Sequence, residues 1–259
     1  MHTFLSRLCI RYITGEFDMN SIVIAGSSLV GLLCADILSK NNSVTIIESD
    51  LEIGFPANFP GRSKNRLTIE NILSNQNLQN LFIKESNKCV NFRSEWFTKL
   101  LTHKLAKNNV KIMNRSRISS ITQSENNLNI SISGSEQSEK IIQCNILIDF
   151  SSVSFSVIGN NTHQYDIESE LIIKPDIPSQ QFFVGICLLK DSDKLGNFEL
   201  MIDRSDDLVE VWYQLGNEME PNQGWIESKT VKAYFNSQLM LLEDYYSIAE
   251  ETVNKMVIT

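Results

Sequence analysis

Two short β-branched apolar runs near the start of the chain are separated by a helical pattern. Residues 21–25 read SIVIA and residues 43–48 read SVTIIE, and both are typical of parallel strands buried on both faces. Residues 29–40 have helical composition and end at two asparagines. A strand, a short turn, a helix and a second strand within about 30 residues predict a βαβ unit with a right-handed crossover.

The following segment combines a turn-rich stretch with helical patterns. Residues 51–66 contain two prolines and two glycines and are expected to form a structured loop. Residues 68–83 predict a helix, and residues 94–107 predict a better one, for which Ser94 is the expected N-cap. The apolar face of that second helix is formed by Phe97, Leu100, Leu101 and Leu105. Residues 110–113 then predict a strand.

Alternating runs end the first half of the chain. Three runs around turn signals predict a small β-meander, at residues 119–121, 128–133 and 140–148. The last part of the third run, residues 146–149, is expected to return to the parallel sheet. These elements assign residues 19–150 to one α/β, Rossmann-like dinucleotide-binding domain.

After residue 151 the pattern changes. Further strands are predicted at residues 168–173, 181–190, 197–203 and 208–215. Several of them alternate, which indicates an antiparallel sheet, and an amphipathic helix is predicted at residues 238–257. Residues 151–259 are therefore interpreted as a second, partial antiparallel β lobe of substrate type that ends in a helix.

The first eighteen residues are interpreted as an N-terminal extension. They contain two arginines but no continuous apolar segment of the secretory kind, and Met19 stands directly before the first strand. We expect translation to begin at Met19. An organelle-targeting segment is the alternative, and the acidic residues Glu16 and Asp18 count against it.

A glycine motif joins the first strand to the first helix. Gly26-Ser27-Ser28-Leu29-Val30-Gly31, followed by Ala35, is similar to G-x-G-x-x-G/A with serine at the second glycine position. Gly26 lets the chain turn sharply, Ser28 is small enough for close approach of a pyrophosphate, and Gly31 allows the helix to pack near the strand. The amide groups at the helix start then point at the phosphates.

Glu48 ends the second strand, where an acidic side chain accepts hydrogen bonds from an adenosine ribose. A carboxylate at this position also disfavours a ribose 2′-phosphate, so we expect NADP to be excluded from this site. A doubly wound fold that keeps the glycines only for packing is the alternative.

Composition excludes several other classes. The chain of 259 residues has a net charge of -8, so it lacks the basic face of a nucleic-acid-binding protein, and no such partner is expected. Its five scattered cysteines and three histidines indicate neither a disulfide framework nor a metal site, and they fit a reducing, cytoplasmic compartment. No run is long enough to span a membrane, although the C-terminal helix has an apolar side that leaves peripheral contact open.

These motifs resemble the geranylgeranyl reductase family, within the flavoprotein class that includes para-hydroxybenzoate hydroxylase. Besides the βαβ unit, a loop with Gly54-Phe55-Pro56 and Gly61 is similar to the family's G-x-P-x-x-C-x-G loop. Arg93 before the helix with Phe97 and Leu100 is similar to its R-x-x-F-x-x-x-L segment. Residues 110–121 resemble the strand and loop that lie over the adenine.

The resemblance implies FAD as the cofactor and an oxidoreductase of reductase type that acts on a hydrophobic or isoprenoid-like substrate. It implies that Gly26, Ser28 and Gly31 hold the pyrophosphate, Glu48 the ribose, Arg93 the phosphate or ribityl region, and the Ile118 backbone the adenine. Trp225 is the expected substrate contact, because Gly224-Trp225-Ile226 is similar to part of the family's Y-x-W-x-F-P motif. No catalytic residue is identified.

The chain also departs from the family. Phe59 stands where the reductases have a loop cysteine, the acid–glycine pair is absent near residue 149, and no Gly-Asp dipeptide occurs. The family's G-D-A-x-G segment, which closes over the flavin, is therefore missing, and we interpret the chain as truncated at its C-terminus. One alternative is a non-catalytic dinucleotide-binding remnant or module that needs a separate chain for this part. The other is an NAD-dependent reductase.

Overall fold

In a computed structural model, the described residues are 20–74, 78–134, 137–151 and 167–256. The expected N-terminal extension lies outside this range. The helices are α1 (Leu29–Leu38), α2 (Arg66–Leu73), α3 (Ser94–Lys107) and α4 (Leu242–Lys255). The strands are β1 (Ser21–Ala25), β2 (Ser43–Ile47), β3 (Arg62–Ser63), β4 (Lys84–Glu85), β5 (Val90–Asn91), β6 (Lys111–Met113), β7 (Ser116–Ser124), β8 (Asn127–Gly134), β9 (Gln137–Cys144), β10 (Ile146–Asp149), β11 (Ile172–Ile173), β12 (Ser179–Leu188), β13 (Leu200–Asp203), β14 (Leu208–Gln214) and β15 (Glu227–Tyr234).

A five-stranded parallel sheet in the order β11-β10-β1-β2-β6 is the centre of the first half. Strand β1 pairs with β2 on one side and β10 on the other, so Val23 lies between Thr45 and Leu147. The predicted βαβ unit and the return of residues 146–149 to this sheet are confirmed. Nine of the ten residues of α1 are buried, because α1 lies between this sheet and α4.

The meander is confirmed, with longer strands than the pattern predicted. Strands β7, β8 and β9 form an antiparallel sheet. This sheet packs its apolar side on the parallel sheet, where Ile118 and Ile130 join Val23 and Ile47 in one buried cluster. A further small sheet, in the order β3-β5-β4, lies in the segment between α1 and α3.

The second half contains an antiparallel sheet in the order β13-β14-β12-β15. The expectation for residues 168–173 is wrong, because only Ile172 and Ile173 form a strand, and that strand extends the parallel sheet beside β10. Two apolar residues in sequence do not indicate which strand they will pair with. Strand β15 was not predicted, since its polar residues hide the alternation, although it pairs with β12 over eight residues.

Two helices are shorter than predicted, and both differences have local causes. Helix α2 ends at Leu73, where Ser74 adopts a positive φ of 47° and its hydroxyl donates to Asn71 O at 3.4 Å. Helix α4 begins only at Leu242, because the Asp244 carboxylate accepts the Leu241 N–H at 2.8 Å and closes the first turn. Helix α3 has the predicted bounds, but Arg93 is its N-cap residue and Ser94 its first helical residue.

Three of the four cysteines in the described part of the chain are buried, each in a different apolar cluster. Cys34 lies between α1 and α4, Cys144 lies under the meander, and Cys187 lies on one face of the antiparallel sheet. Burial raises the pKa of all three thiols. Cys89 is only partly buried, and the Arg62 guanidinium donates to its sulfur at 3.3 Å.

Within the described ranges, no helix is both long and apolar enough to cross a membrane.

Replacement of Gly185 tests the packing of the antiparallel sheet. A Cβ at this position would lie 2.4 Å from Trp225 Cε3, so Gly185→Ala must displace the indole ring. We expect a loss of about 1–3 kcal/mol in the free energy of unfolding, measured by urea titration. Gly196→Ala is the matched control, since the nearest atom to its Cβ would be Met219 Sδ at 3.9 Å. Equal stability of the two variants would contradict this packing.

Candidate functional site

The turn after β1 has the backbone geometry that the glycine motif requires. Gly26 has a φ of 91°, which favours glycine, and its N–H donates to Ile47 O at 2.8 Å, so the turn is fixed to the end of β2. A Cβ on Gly31 would lie 2.8 Å from Gly26 O and 3.3 Å from the Phe150 ring. The first turn of α1 therefore approaches the strand end as closely as the motif predicts.

Ser28 is the N-cap of α1. Its hydroxyl accepts the Gly31 N–H at 3.2 Å, and the Tyr234 hydroxyl contacts it from β15 at 3.4 Å. Ser27 and Ser28 are each only 3% exposed. Ser28 is thus covered by a residue of the chain's own second half, whereas Ser27 is enclosed by Glu48 and Gly54.

The Glu48 carboxylate connects the end of β2 to the glycine loop. Its Oε2 accepts the Ser27 N–H at 2.7 Å and the Ser27 hydroxyl at 2.6 Å. Its Oε1 accepts the Ser49 hydroxyl and the Asp50 N–H, both at 3.1 Å. Glu48 is 2% exposed, so its carboxylate interacts with the loop and not with solvent.

A cleft lies between this loop and the antiparallel sheet. Its cavity volume is about 20 Å³. Desolvation and the nearby Glu48 charge raise the pKa of Asp50 in its wall to about 6. The other lining residues come from the glycine loop, the Gly-x-Pro loop and β15, namely Ser27, Ser28, Glu48, Gly54, Phe55, Pro56, Asn58, Thr230, Val231 and Lys232.

The Gly-x-Pro loop is anchored to the glycine loop. Gly54 has a φ of 61°, and its N–H donates to the Ser27 hydroxyl at 2.8 Å. Phe59, which replaces the family's cysteine, is buried against the Phe97 and Tyr245 rings and belongs to the core.

Four of the predicted site residues meet at the carboxyl edge of the sheet, and the others lie elsewhere. Ile118 is 3% exposed in the cluster beneath the meander. The Arg93 guanidinium lies 3.8 Å from a Glu95 oxygen, and no contact with the glycine loop is found for it. Trp225 fills the space above Gly185 and contacts Phe183, on the sheet face opposite to Val184 and Trp212. Packing accounts for the Trp225 ring at this position.

Sequence reasoning missed a buried charged cluster between the two halves. Lys229 of β15 donates to Glu95 of α3 at 2.7 Å; the Glu95 side chain is buried and that of Lys229 is 14% exposed. Burial alone would raise the pKa of Glu95, but the Lys229 ammonium holds it below its ordinary value. The one available signal was Glu210, an acid between two valines in an apolar run.

Glu210 of β14 lies on the same face of the antiparallel sheet as Lys229 and is 1% exposed. Trp212 Nε1 donates to it at 2.7 Å, and the fully buried Arg204 guanidinium is 3.8 Å away. Desolvation, reinforced by the Glu95 charge, raises the pKa of Glu210 to about 7 against the attraction of Lys229, Trp212 and Arg204. The cluster therefore contains an acid that titrates near neutrality.

No group of three or more His, Cys, Asp or Glu side chains in the described segments is arranged to hold a metal ion.

Ser27→Ala tests the loop network. The change removes a donor to Glu48 and the acceptor of the Gly54 N–H, and both groups are in a poorly solvated site. We expect the free energy of unfolding to fall by about 1–3 kcal/mol. Ser124→Ala, which removes one exposed 3.5 Å hydrogen bond, should change it by less than about 0.5 kcal/mol. Equal effects in urea titrations would show that the network does not stabilise the loop.

Glu210→Gln tests the buried acid. The folded chain holds this proton more tightly than the unfolded chain, so stability is lost as pH rises from about 4.5 to about 7. The variant lacks this loss. Its stability relative to the parent chain should therefore increase between pH 5 and pH 8, by roughly 1–3 kcal/mol.

Urea titrations at several pH values measure the difference, and Glu227→Gln, on an exposed residue of the same sheet, is the control. A difference that stays constant across this pH range would refute the raised pKa.

No protein-family model and no curated protein sequence matches the chain. Three solved structures each reach a TM-score of 0.57. The p-nitrophenol 4-monooxygenase PnpA from Pseudomonas putida is 11% identical, and the match covers 93% of this chain and 80% of that one. A geranylgeranyl bacteriochlorophyll reductase-like protein from Thermoplasma acidophilum is 12% identical, with 93% and 77% covered. AlpK is 11% identical, with 92% and 62% covered. The chain therefore has the α/β fold of the Rossmann-type flavoprotein class that the sequence motifs resemble.

Proposed function

We propose that this chain binds FAD at the carboxyl edge of its parallel sheet and serves as an oxidoreductase of the reductase type on a hydrophobic substrate. The observation that carries the proposal is the loop between β1 and α1. Its glycine turn, its close helix approach and the acid at the end of β2 occur together in the geometry that dinucleotides use.

The loop backbone fits a pyrophosphate. A Cβ on Gly31 would meet Gly26 O and the Phe150 ring, so α1 begins close against the end of β1. Its N-terminal dipole end lies at Ser28, which lines the cleft. Gly26, Ser28 and Gly31 would hold the pyrophosphate, and Glu48 would exchange part of its bonding to Ser27 for the ribose hydroxyls. Arg93 and the Ile118 backbone remain proposals for the ribityl and adenine regions.

When bound, FAD supplies the hydride chemistry, and the chain supplies position and electrostatics. Asp50 sets the charge of the cleft wall, because its pKa of about 6 leaves it charged at neutral pH. Phe55 is 41% exposed at the cleft and offers an apolar surface to a hydrophobic substrate. Trp225 remains a proposed substrate contact, for a substrate that reaches the other face of the antiparallel sheet.

The cleft is narrow for so large a cofactor. Its cavity volume of about 20 Å³ is far below the roughly 300–1,000 Å³ of small-molecule sites. Binding therefore requires the segment from Thr230 to Tyr234 to move away from Ser27 and Ser28.

The contact of Tyr234 with Ser28, which covers the loop, favours a second candidate function, a non-catalytic module. In that case the acid and the serines satisfy one another permanently, and the βαβ unit is only a scaffold. A separate chain would then supply any remaining part of a flavin site.

The visible spectrum of the purified chain decides between the two candidates. The oxidoreductase proposal expects a flavin band and release of about one FAD per chain on denaturation. Glu48→Gln should weaken binding of added FAD about tenfold, since it removes a charged acceptor for the ribose. Glu52→Gln, on an exposed neighbour, should leave it unchanged. A folded, colourless chain that takes up no added FAD would reject the oxidoreductase and support the module.

A further inference from the structure

A second cavity, here called the cationic pocket, lies beyond the end of β2. Its cavity volume is about 280 Å³. It is at the carboxyl edge of the parallel sheet, where ligands of open α/β sheets bind. Its lining consists of Ser49, Arg115, Ser116, Arg117, Ser133 and Gly134.

The ionisable side chains among the described lining residues are all cationic. Among the residues that the structure describes, two guanidinium groups and three hydroxyl groups line it, and no carboxylate does. Among the described residues, neither Arg115 nor Arg117 forms an ion pair with a carboxylate; Arg117 Nε donates only to the Ser133 hydroxyl at 3.4 Å. Two unpaired cations on a chain of net charge -8 indicate a site for an anion.

The backbone holds this lining in place. The Ser116 N–H donates to Glu48 O at 2.8 Å and the Arg115 N–H donates to Asp50 O at 3.1 Å, so the start of β7 is fixed to the end of β2. Arg115 has a left-handed φ of 50°, a conformation that costs free energy in an arginine and is often found at binding sites. Gly134 lies so close that a Cβ there would be 2.7 Å from Arg115 O.

Glu48 does not cancel this charge. Its Oε2 accepts from Ser27 on the cleft side, and its Oε1 is engaged by Ser49 and Asp50. Glu48 therefore has donors on both oxygens and is 2% exposed, whereas both arginines are exposed. Asp50 lines the cleft and is not among the residues of the cationic pocket.

We propose that the cationic pocket binds a phosphate monoester, a group that FAD lacks. The planar fork of a guanidinium matches phosphate oxygens in a bidentate manner. The Ser133 hydroxyl, which accepts from Arg117 Nε, can supply a further donor. The end of β2 is where the adenosine ribose of a βαβ-bound nucleotide lies, and a nearby arginine accommodates a phosphate on that ribose. This replaces the expectation from the sequence that Glu48 excludes a ribose 2′-phosphate, because the Glu48 carboxylate is engaged by Ser27, Ser49 and Asp50. The phosphate is carried by such a ribose or enters as a free ion.

Calorimetric titration of the full chain tests the proposal, with adenosine 2′-phosphate, adenosine and inorganic phosphate as probes. Adenosine 2′-phosphate should bind at least about tenfold more tightly than adenosine, and added salt should weaken it. Phosphate binding as tight as that of adenosine 2′-phosphate identifies the free ion as the source. Clearly weaker phosphate binding identifies a ribose phosphate.

The test variant is Arg115→Asn combined with Arg117→Gln. Asparagine tolerates the left-handed backbone of residue 115, so the fold is retained while both charges are removed. Phosphate-dependent affinity should fall by about tenfold or more. Lys190→Gln with Lys194→Gln removes the same charge from exposed residues elsewhere and should leave the affinity unchanged.

The proposal is overturned if neither phosphate compound binds saturably up to about ten millimolar, or if the double arginine variant binds them as the parent chain does. It uses the βαβ geometry but not the proposed flavin, so a parallel FAD titration separates the two. Phosphate binding without FAD uptake rejects only the flavin proposal, and FAD uptake without phosphate binding rejects only this one.

Discussion

The buried carboxylate of Glu48 is the constraint on which the arrangement of the candidate site depends. A charge that is 2% exposed is stable only with enough donors, and the loop supplies them from Ser27, Ser49 and Asp50. Ser27 in turn accepts the Gly54 N–H, so one ion orders the glycine loop, the end of β2 and the Gly-x-Pro loop together. The cleft and the cationic pocket lie on two sides of this centre.

Sequence was informative wherever burial is complete on both faces. Strands β1 and β2 form continuous apolar runs because helices cover one side of their sheet and the meander the other. Gly26 marks a φ of 91°, and Gly31 marks a contact that admits no Cβ. Strand β15 gave no such signal. Its Lys229 has the character of a surface residue in the sequence, but its side chain is only 14% exposed because it pairs with Glu95, which lies 134 positions away.

The residues of the candidate site also fall into a group whose arrangement the sequence indicated and a group whose arrangement it did not. Gly26, Ser28, Gly31 and Glu48 are close in sequence, and local turn geometry brings them together. Arg93 and Trp225 are placed by contacts between distant segments, and a motif fixes their sequence spacing but not the direction of their side chains. The closure of the loop by Tyr234 depends on a contact across 206 positions, which periodicity cannot reveal.

The buried cysteines have a practical consequence. Cys34, Cys144 and Cys187 lie in three separate apolar clusters, and each thiol resists ionisation because it is desolvated. A thiolate-specific reagent reaches each one only when the surrounding layer opens. Cys34 therefore reports on the helical layer, Cys144 on the meander and Cys187 on the antiparallel sheet. Their relative labelling rates give the order in which these layers open.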